Sequence, residues 1–362
     1  MIQAWKIRRE VQRLGQQISA LHQALWEPLL QRRHDRLVKR GLPIFDGQAP
    51  LRPKIALFLL FQRGDLPESI LQTCAHIAEQ GYSLLIVANG GLTAESREAL
   101  LPQAWRILER PNFGYDFGGY RDGILQLTQW GVSPDKLLIL NDSIWFPILP
   151  QSAFLADMEA ANVDVAGTIL RQKNGQGFLE SYLYLLDGGV LRNPVVQKFW
   201  QNYRLTANKY KVIRRGERGH SAALVAAGYD LTPMFSTADF LRRLDAQNDD
   251  FLAHTLRFSV ADGADLAAAR DALLSGNRNQ GWREATMEHI GRVLQSAQFY
   301  SAFPYASVKL LRYPVLKKSS DRVAVLWRKA HLAALEAGEI EVPPKTSFFV
   351  ELKTMMTDEV TH

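Results

Sequence analysis

The chain has 362 residues, 47% of them hydrophobic and 22% charged, which excludes a disordered or fibrous protein and fits one large domain with appendages or two domains. Its net charge of +6 is concentrated: residues 1–40 carry nine Lys and Arg against Glu10, Glu27 and Asp35, so the whole-chain totals of 43 basic and 37 acidic groups leave 34 of each sign in the other 322 residues. A body balanced in this way is not built to track a nucleic-acid backbone, and no nucleic-acid partner is expected.

Cys74 is the single cysteine, which excludes an intrachain disulfide framework and a cysteine-cluster zinc site; a buried thiol is its expected state. No apolar run approaches the roughly 20 residues that span a bilayer. The opening segment is charged and lacks an apolar signal core, so no secretion signal is expected and the cytoplasm is the expected location.

In chain order, Trp5, Val11, Ile18, Leu21, Leu25 and Leu29 recur at helical spacing, which gives the arm one apolar stripe with basic flanks. Two settings suit residues 1–40: packing on the chain's own body or on a twin subunit, or peripheral contact with anionic lipid on the inner face of the cell membrane. From Lys54 the pattern turns to short apolar runs alternating with amphipathic segments. Strands are expected at Lys54–Phe61, Ser83–Ala88, Trp105–Leu108 and Lys136–Leu140, with helices at Leu66–Gln80, Thr93–Leu100 and Asp116–Trp130. Strands and helices alternating at this spacing predict an α/β fold with a mostly parallel sheet covered by helices. Further on, strands at Asp164–Leu170 and Ser181–Leu186 precede a helix at Pro194–Tyr203, and a basic stretch Lys209–Arg218 leads into a helix over Ser221–Ala227. The expected organisation is a basic helical arm (1–50), a core (51–235) and a mainly helical C-terminal region (236–362).

Open parallel sheets bind ligands outside the carboxyl ends of their strands, so the informative loops are Gln62–Asp65, Asn89–Gly91, Asn112–Asp116 and Asn141–Ser143. The segment from Asn112 to Gly123 packs glycines, Asp116, Arg121 and Asp122 into a strand-to-helix transition, where exposed N–H groups and a helix dipole can hold phosphate oxygens. It is neither a dinucleotide fingerprint nor a P-loop. Gly caps and close helix–sheet packing, with Asp116 as an N-cap, remain the alternative. At the end of the Lys136–Leu140 run, Asn141-Asp142-Ser143 presents a carboxylate suited to a divalent cation that bridges a diphosphate, with an Asx-turn as the alternative.

Together, Asn112–Gly123, Leu138–Ser143 with Pro147, Ser181-Tyr182, Phe199-Trp200 and the run Tyr313–Lys318 resemble the rhamnan synthesis protein F family of glycosyltransferases over roughly residues 50–320. The resemblance implies an A-type glycosyltransferase fold. It also implies an inverting transfer of a sugar, often rhamnose, from a nucleotide-sugar donor to a bacterial surface polysaccharide or lipid-linked glycan. Asn141-Asp142-Ser143 stands where such enzymes carry an Asp-x-Asp, which implies Mg²⁺ or Mn²⁺ at Asp142. The segment from Gly216 to Tyr229 resembles a helix with a catalytic acid at its start and Gly-Tyr at its end, so Glu217 is the expected base, with His220, Arg215 and Arg218 facing the departing diphosphate. Asp187 is the competing base and Glu180 a weaker one. Asn89, Asn112, Asp116, Arg121, Asn141 and Asp142 complete the expected donor site. A non-catalytic subunit that binds sugar nucleotide or polysaccharide on the same fold is the rival reading.

Overall fold

The computed structural model describes residues 26–62, 64–341 and 347–358. Most of the stripe expected in the arm lies outside the described residues; Leu29 is its one described member, on a helix over residues 26–40 (α1). One side of α1 is tied down by polar contacts. Glu27 accepts from Thr206 Oγ1 at 2.5 Å and pairs with Lys211, Gln31 Oε1 accepts from the Leu205 N–H, and His34 is buried against Asp122. The other side exposes Trp26, Leu29, Leu30 and Leu37 among Arg33, Arg36 and Arg40.

Two compact units follow. The first comprises residues up to 66, 77–141 and 163–232. Its elements are β1 (Ile44–Asp46), β2 (Lys54–Leu60), the end of α2 (Glu68–Glu79), β3 (Tyr82–Asn89), α3 (Ala94–Leu100), β4 (Ala104–Arg110), α4 (Tyr115–Gln129) and β5 (Lys136–Asn141). The second comprises 67–76, 142–162 and 233 onward, and it contributes β6 (Ile144–Trp145) and α5 (Phe154–Ala160) before the chain returns to the first unit. There it forms β7 (Val165–Lys173), β8 (Gln176–Leu179), β9 (Leu183–Asp187), α6 (Gly188–Arg192), α7 (Pro194–Asn202), α8 (Lys209–Val212), a π-helical turn Ile213–Glu217, α9 (Arg218–Ala226) and the start of β10 (Thr232–Phe235).

The sheet of the first unit runs β1-β4-β3-β2-β5-β9-β7, with β8 paired to β7. Pairs β4–β3, β3–β2 and β2–β5 are parallel, whereas β1–β4, β5–β9, β9–β7 and β7–β8 are antiparallel. The expected α/β class, with a parallel centre, is borne out. Strands β2, β3 and β5 are buried on both faces, as their unbroken apolar runs require. On one face Leu57, Leu59, Leu85, Val87, Leu137 and Ile139 meet Phe117, Tyr120 and Leu127 of α4 and Trp200 of α7. Cys74 is buried as expected, and burial pushes its thiol up to about 12.

The second unit continues with α10 (Thr237–Asp245), α11 (Asp249–Arg257), α12 (Ala264–Ser275), α13 (Trp282–Leu294), α14 (Phe299–Ala302), α15 (Pro304–Leu311), β11 (Leu316–Lys317), α16 (Arg322–Glu336) and α17 (Ser347–Asp358). The mainly helical character expected here is present. Its core is aromatic: Tyr300 stacks on Tyr313 with centroids 5.0 Å apart, and Phe240 stacks on Phe299. Strand β11 pairs antiparallel with β6, setting Leu316 opposite Trp145. Among the described residues no helix is long and apolar enough to cross a membrane.

Candidate functional site

The carboxyl edge of the sheet gathers the polar side chains of the first unit into one connected chain. Asn141 ends β5, and its buried amide donates to Asp116 Oδ2 at 3.1 Å and to Tyr120 Oη at 2.9 Å. The Tyr120 hydroxyl in turn donates to the Ser181 carbonyl at 2.9 Å. Ser181 lies just before β9, which runs antiparallel to β5, so it sits at the same edge as Asn141. Both the backbone N–H and the hydroxyl of Ser181 donate to Glu217 Oε1 at 3.0 Å. One carboxylate oxygen therefore holds two bonds, which orients the half-buried Glu217. Expected from sequence, Asp116, Asn141 and Glu217 are brought together; Tyr120 and Ser181, given no site role there, are the links.

Local backbone explains the placement. Gly114, in the left-handed region at φ 97°, caps α4, so Asp116 is a first-turn residue rather than the N-cap, where the helix dipole still favours its charge. A Cβ at Gly119 would lie 2.1 Å from Leu59 Cδ1, so α4 reaches the sheet closely enough to put Tyr120 against Asn141 only because that position has no side chain. Contrary to the expectation, Glu217 does not open a helix after a loop. The chain is helical from Lys209 to Ala226, and the π-turn inside this run ends at Glu217. Gly216 packs there against the Phe117 ring, which a Cβ would approach to 2.5 Å. Such turns interrupt the regular ladder and re-aim side chains, here toward Ser181.

Other expected residues lie elsewhere. Asp187 caps α6, accepting from the Gly189 N–H at 2.8 Å, and it is in register with Lys136 at the start of β5. Because β9 is antiparallel, its end is at the amino edge, a strand length of roughly 17 Å from Asn141. Glu180 pairs with Arg171 at 2.9 Å. His220 is buried among Phe117, Phe199 and Trp200, and burial pushes it down to about 3, so it is neutral and supplies no charge to a phosphate. Arg215 pairs with Glu27. Arg121 turns toward α1, pairing with Asp35 at 3.2 Å and Asp122 at 3.3 Å. Asn89 is buried and accepts from Arg110, whose Nε donates to Asp122 at 2.6 Å. Burial pushes the Asp122 carboxyl up, but Arg110 and His34 outweigh it and hold it below the usual carboxylate range. Asn89, Arg110, Asp122 and His34 thus form a buried structural network. Asn112 is exposed beside Gly90.

In the second unit Asp142 is half-buried and interacts electrostatically with Lys318. Asp142 is the one carboxylate of Asn141-Asp142-Ser143, and the Lys318 ammonium acts on it, which weakens its hold on a divalent cation. Among the described residues no three His, Cys, Asp or Glu side chains gather as a ligand set. Lys318 itself lies in the Tyr313–Lys318 run noted in the sequence, where two lysines close an apolar stretch without marking which one turns inward.

Residues 84–261 match the model of the rhamnan synthesis protein F family, which bears out the resemblance within the span expected for it. A protein of Sinorhizobium fredii (strain NBRC 101917 / NGR234), uncharacterized protein y4gN, is 28% identical over 334 residues, covering 91% of this chain and 87% of its own. Two solved structures align at low similarity. The mannosyltransferase PcManGT from Pyrobaculum calidifontis, in complex with GDP-Man and Mn²⁺, is 11% identical with a TM-score of 0.30, over 94% of this chain and 96% of its own. The mannosyltransferase Ktr4p from S. cerevisiae is 11% identical with a TM-score of 0.25, over 48% of this chain and 69% of its own. Likeness at that level adds nothing to the fold argued above from strand pairing.

Proposed function

We propose that this chain is an inverting glycosyltransferase of A-type fold, moving a sugar from a nucleoside-diphosphate donor to a bacterial surface polysaccharide or its lipid-linked precursor. One observation carries the reading: Glu217, oriented by Ser181 and linked through Tyr120 to Asn141 and Asp116, stands at the carboxyl edge of a parallel-centred sheet, in a segment that matches the family model. In this reading the Glu217 carboxylate takes the proton of an acceptor hydroxyl. The acceptor oxygen bonds to the anomeric carbon as the bond from that carbon to the diphosphate breaks, and the nucleoside diphosphate leaves with the electron pair. Asp116 and Asn141 orient the donor, with exposed Asn112 at the rim. Rhamnose is the donor sugar to try first. In this reading the basic side of α1 would rest on anionic lipid, where a lipid-linked acceptor would be found.

The test is a panel of labelled nucleotide sugars incubated with the full chain and a glycan acceptor, read as label in the glycan. Transfer from one donor with inverted anomeric configuration is expected. Donor binding without transfer under any condition would make the protein a binding subunit instead.

A further inference from the structure

Lys318 is a cation whose hydrogen-bonding capacity the described residues leave largely unused. It follows β11, and its backbone N–H donates to the Ser143 carbonyl at 2.8 Å, next to Asp142 in the chain. Its ammonium lies 5.2 Å from the centroid of the Trp145 ring and 3.4 Å from Ser69 Oγ, the one side-chain hydrogen bond it makes among the described residues. Ser69 is committed to Glu351: its hydroxyl donates to Oε2 at 2.5 Å and its N–H to Oε1 at 2.9 Å, while Trp145 Nε1 adds a third bond at 2.9 Å. Glu351 is thus tied down by neutral donors and acts on Lys318 at longer range. Burial pulls the ammonium down from its ordinary value, and Glu351 and Asp142 act against that pull.

An ammonium has three N–H donors, and a half-buried one with a single long bond leaves room for a further acceptor. A phosphate oxygen is such an acceptor. Ser69 and the Trp145 ring hold the ammonium in place, and its partial removal from water strengthens its attraction for an anion. We infer that the Lys318 ammonium, beside Asp142 within the second unit, is a cationic contact for a nucleoside diphosphate and stands in for a divalent ion. The inference rests on the glycosyltransferase reading, and it accounts for a lone carboxylate already met by an ammonium.

Calorimetric titration of the full chain with UDP, GDP and dTDP, once with chelator and once with Mn²⁺, tests it. Wild type should bind its preferred nucleoside diphosphate equally well in both. Lys318→Met should weaken that binding by about ten- to a hundredfold, the range for a lost bond to a charged group, and Lys318→Arg should restore most of it. Lys318→Gln is measured in parallel, so that the test survives if the apolar variant does not fold. Binding that appears only with Mn²⁺, or that is indifferent to loss of the lysine charge, overturns the inference and leaves the glycosyltransferase reading standing. Absence of binding by wild type to any of the three, in either condition, overturns both.

Discussion

At the scale of single residues, two carboxylates that resemble each other in sequence separate by geometry. Glu217 is held by Ser181 at the edge where a donor would sit, and Asp187 caps a helix at the other edge. Glu217→Gln keeps an acceptor for Ser181 but removes the base, so turnover should fall by about 10²- to 10⁴-fold with donor affinity unchanged. Asp187→Asn, read in the same assay, should keep full turnover; a loss confined to that variant would return the base to Asp187. His220 allows a second test. Its folded pKa of about 3 lies below its unfolded value near 6.5, so its contribution to stability is complete above the unfolded value and is lost as pH falls toward the folded one. The slope it adds is up to about 1.4 kcal/mol per pH unit below that point. Denaturant unfolding of His220→Phe between neutral and mildly acidic pH should be flatter than wild type by that amount, with the remaining slope due in part to His331, which burial pushes down to about 4. An unaltered slope would mean that His220 is not sealed from water.

At the scale of elements, the glycines of the Asn112–Gly123 segment serve packing first and any ligand second. Helix α4 needs Gly119 because Leu59, 1% exposed, occupies the space of a Cβ. Gly119→Ala gains about 1 kcal/mol of helix propensity but overpacks a closed core, which costs typically about 1–3 kcal/mol, so the variant should be destabilised on balance. Gly291, on α13, is the counter-case: a Cβ there would meet nothing within 4 Å, and Gly291→Ala should be stabilising by about 0.5–1 kcal/mol. Chemical denaturation of both variants decides whether space or propensity governs; a stabilised Gly119→Ala would sink the close-packing account. What was legible in the sequence follows the same physics. Strands β2, β3 and β5 are legible because burial on both faces leaves an unbroken apolar run. The reversal of β9 is not, since an apolar run looks alike in either direction, and this is why Asp187 reads from sequence as a residue of the ligand edge. The π-turn is also hidden: Gly216 resembles a loop residue, and only contact with Phe117 explains why a glycine continues a helix there. Asp116, Asn141 and Glu217 can each be picked out as polar groups at element ends, but the Tyr120 and Ser181 links depend on pairing that no local pattern records.

At the scale of the whole molecule, the uneven charge of the chain supports a testable prediction of membrane contact. The entire +6 excess lies in residues 1–40. In the described part of that segment, the inward side of α1 is occupied by Glu27, Gln31 and His34, so the basic and apolar groups have only the outward side. Trp26 and Leu29, each 52% exposed, lie there with Leu30, Leu37, Arg33, Arg36 and Arg40. An aromatic and aliphatic stripe bordered by arginines matches the boundary between lipid headgroups and acyl chains, where each basic side chain adds about 1 kcal/mol on an anionic leaflet. Flotation with vesicles containing phosphatidylglycerol should therefore carry the full chain, whereas pure phosphatidylcholine vesicles should not. Binding should be released at about 1 M salt, where the screening length has shrunk to roughly 3 Å. The combined variant Arg33→Glu, Arg36→Glu and Arg40→Glu leaves the inward contacts intact and reverses three charges, which should weaken binding by at least about a hundredfold on the same scale. Equal binding to neutral vesicles, or indifference to that variant, would assign the exposed stripe to protein packing on a twin subunit and take the enzyme off the membrane surface.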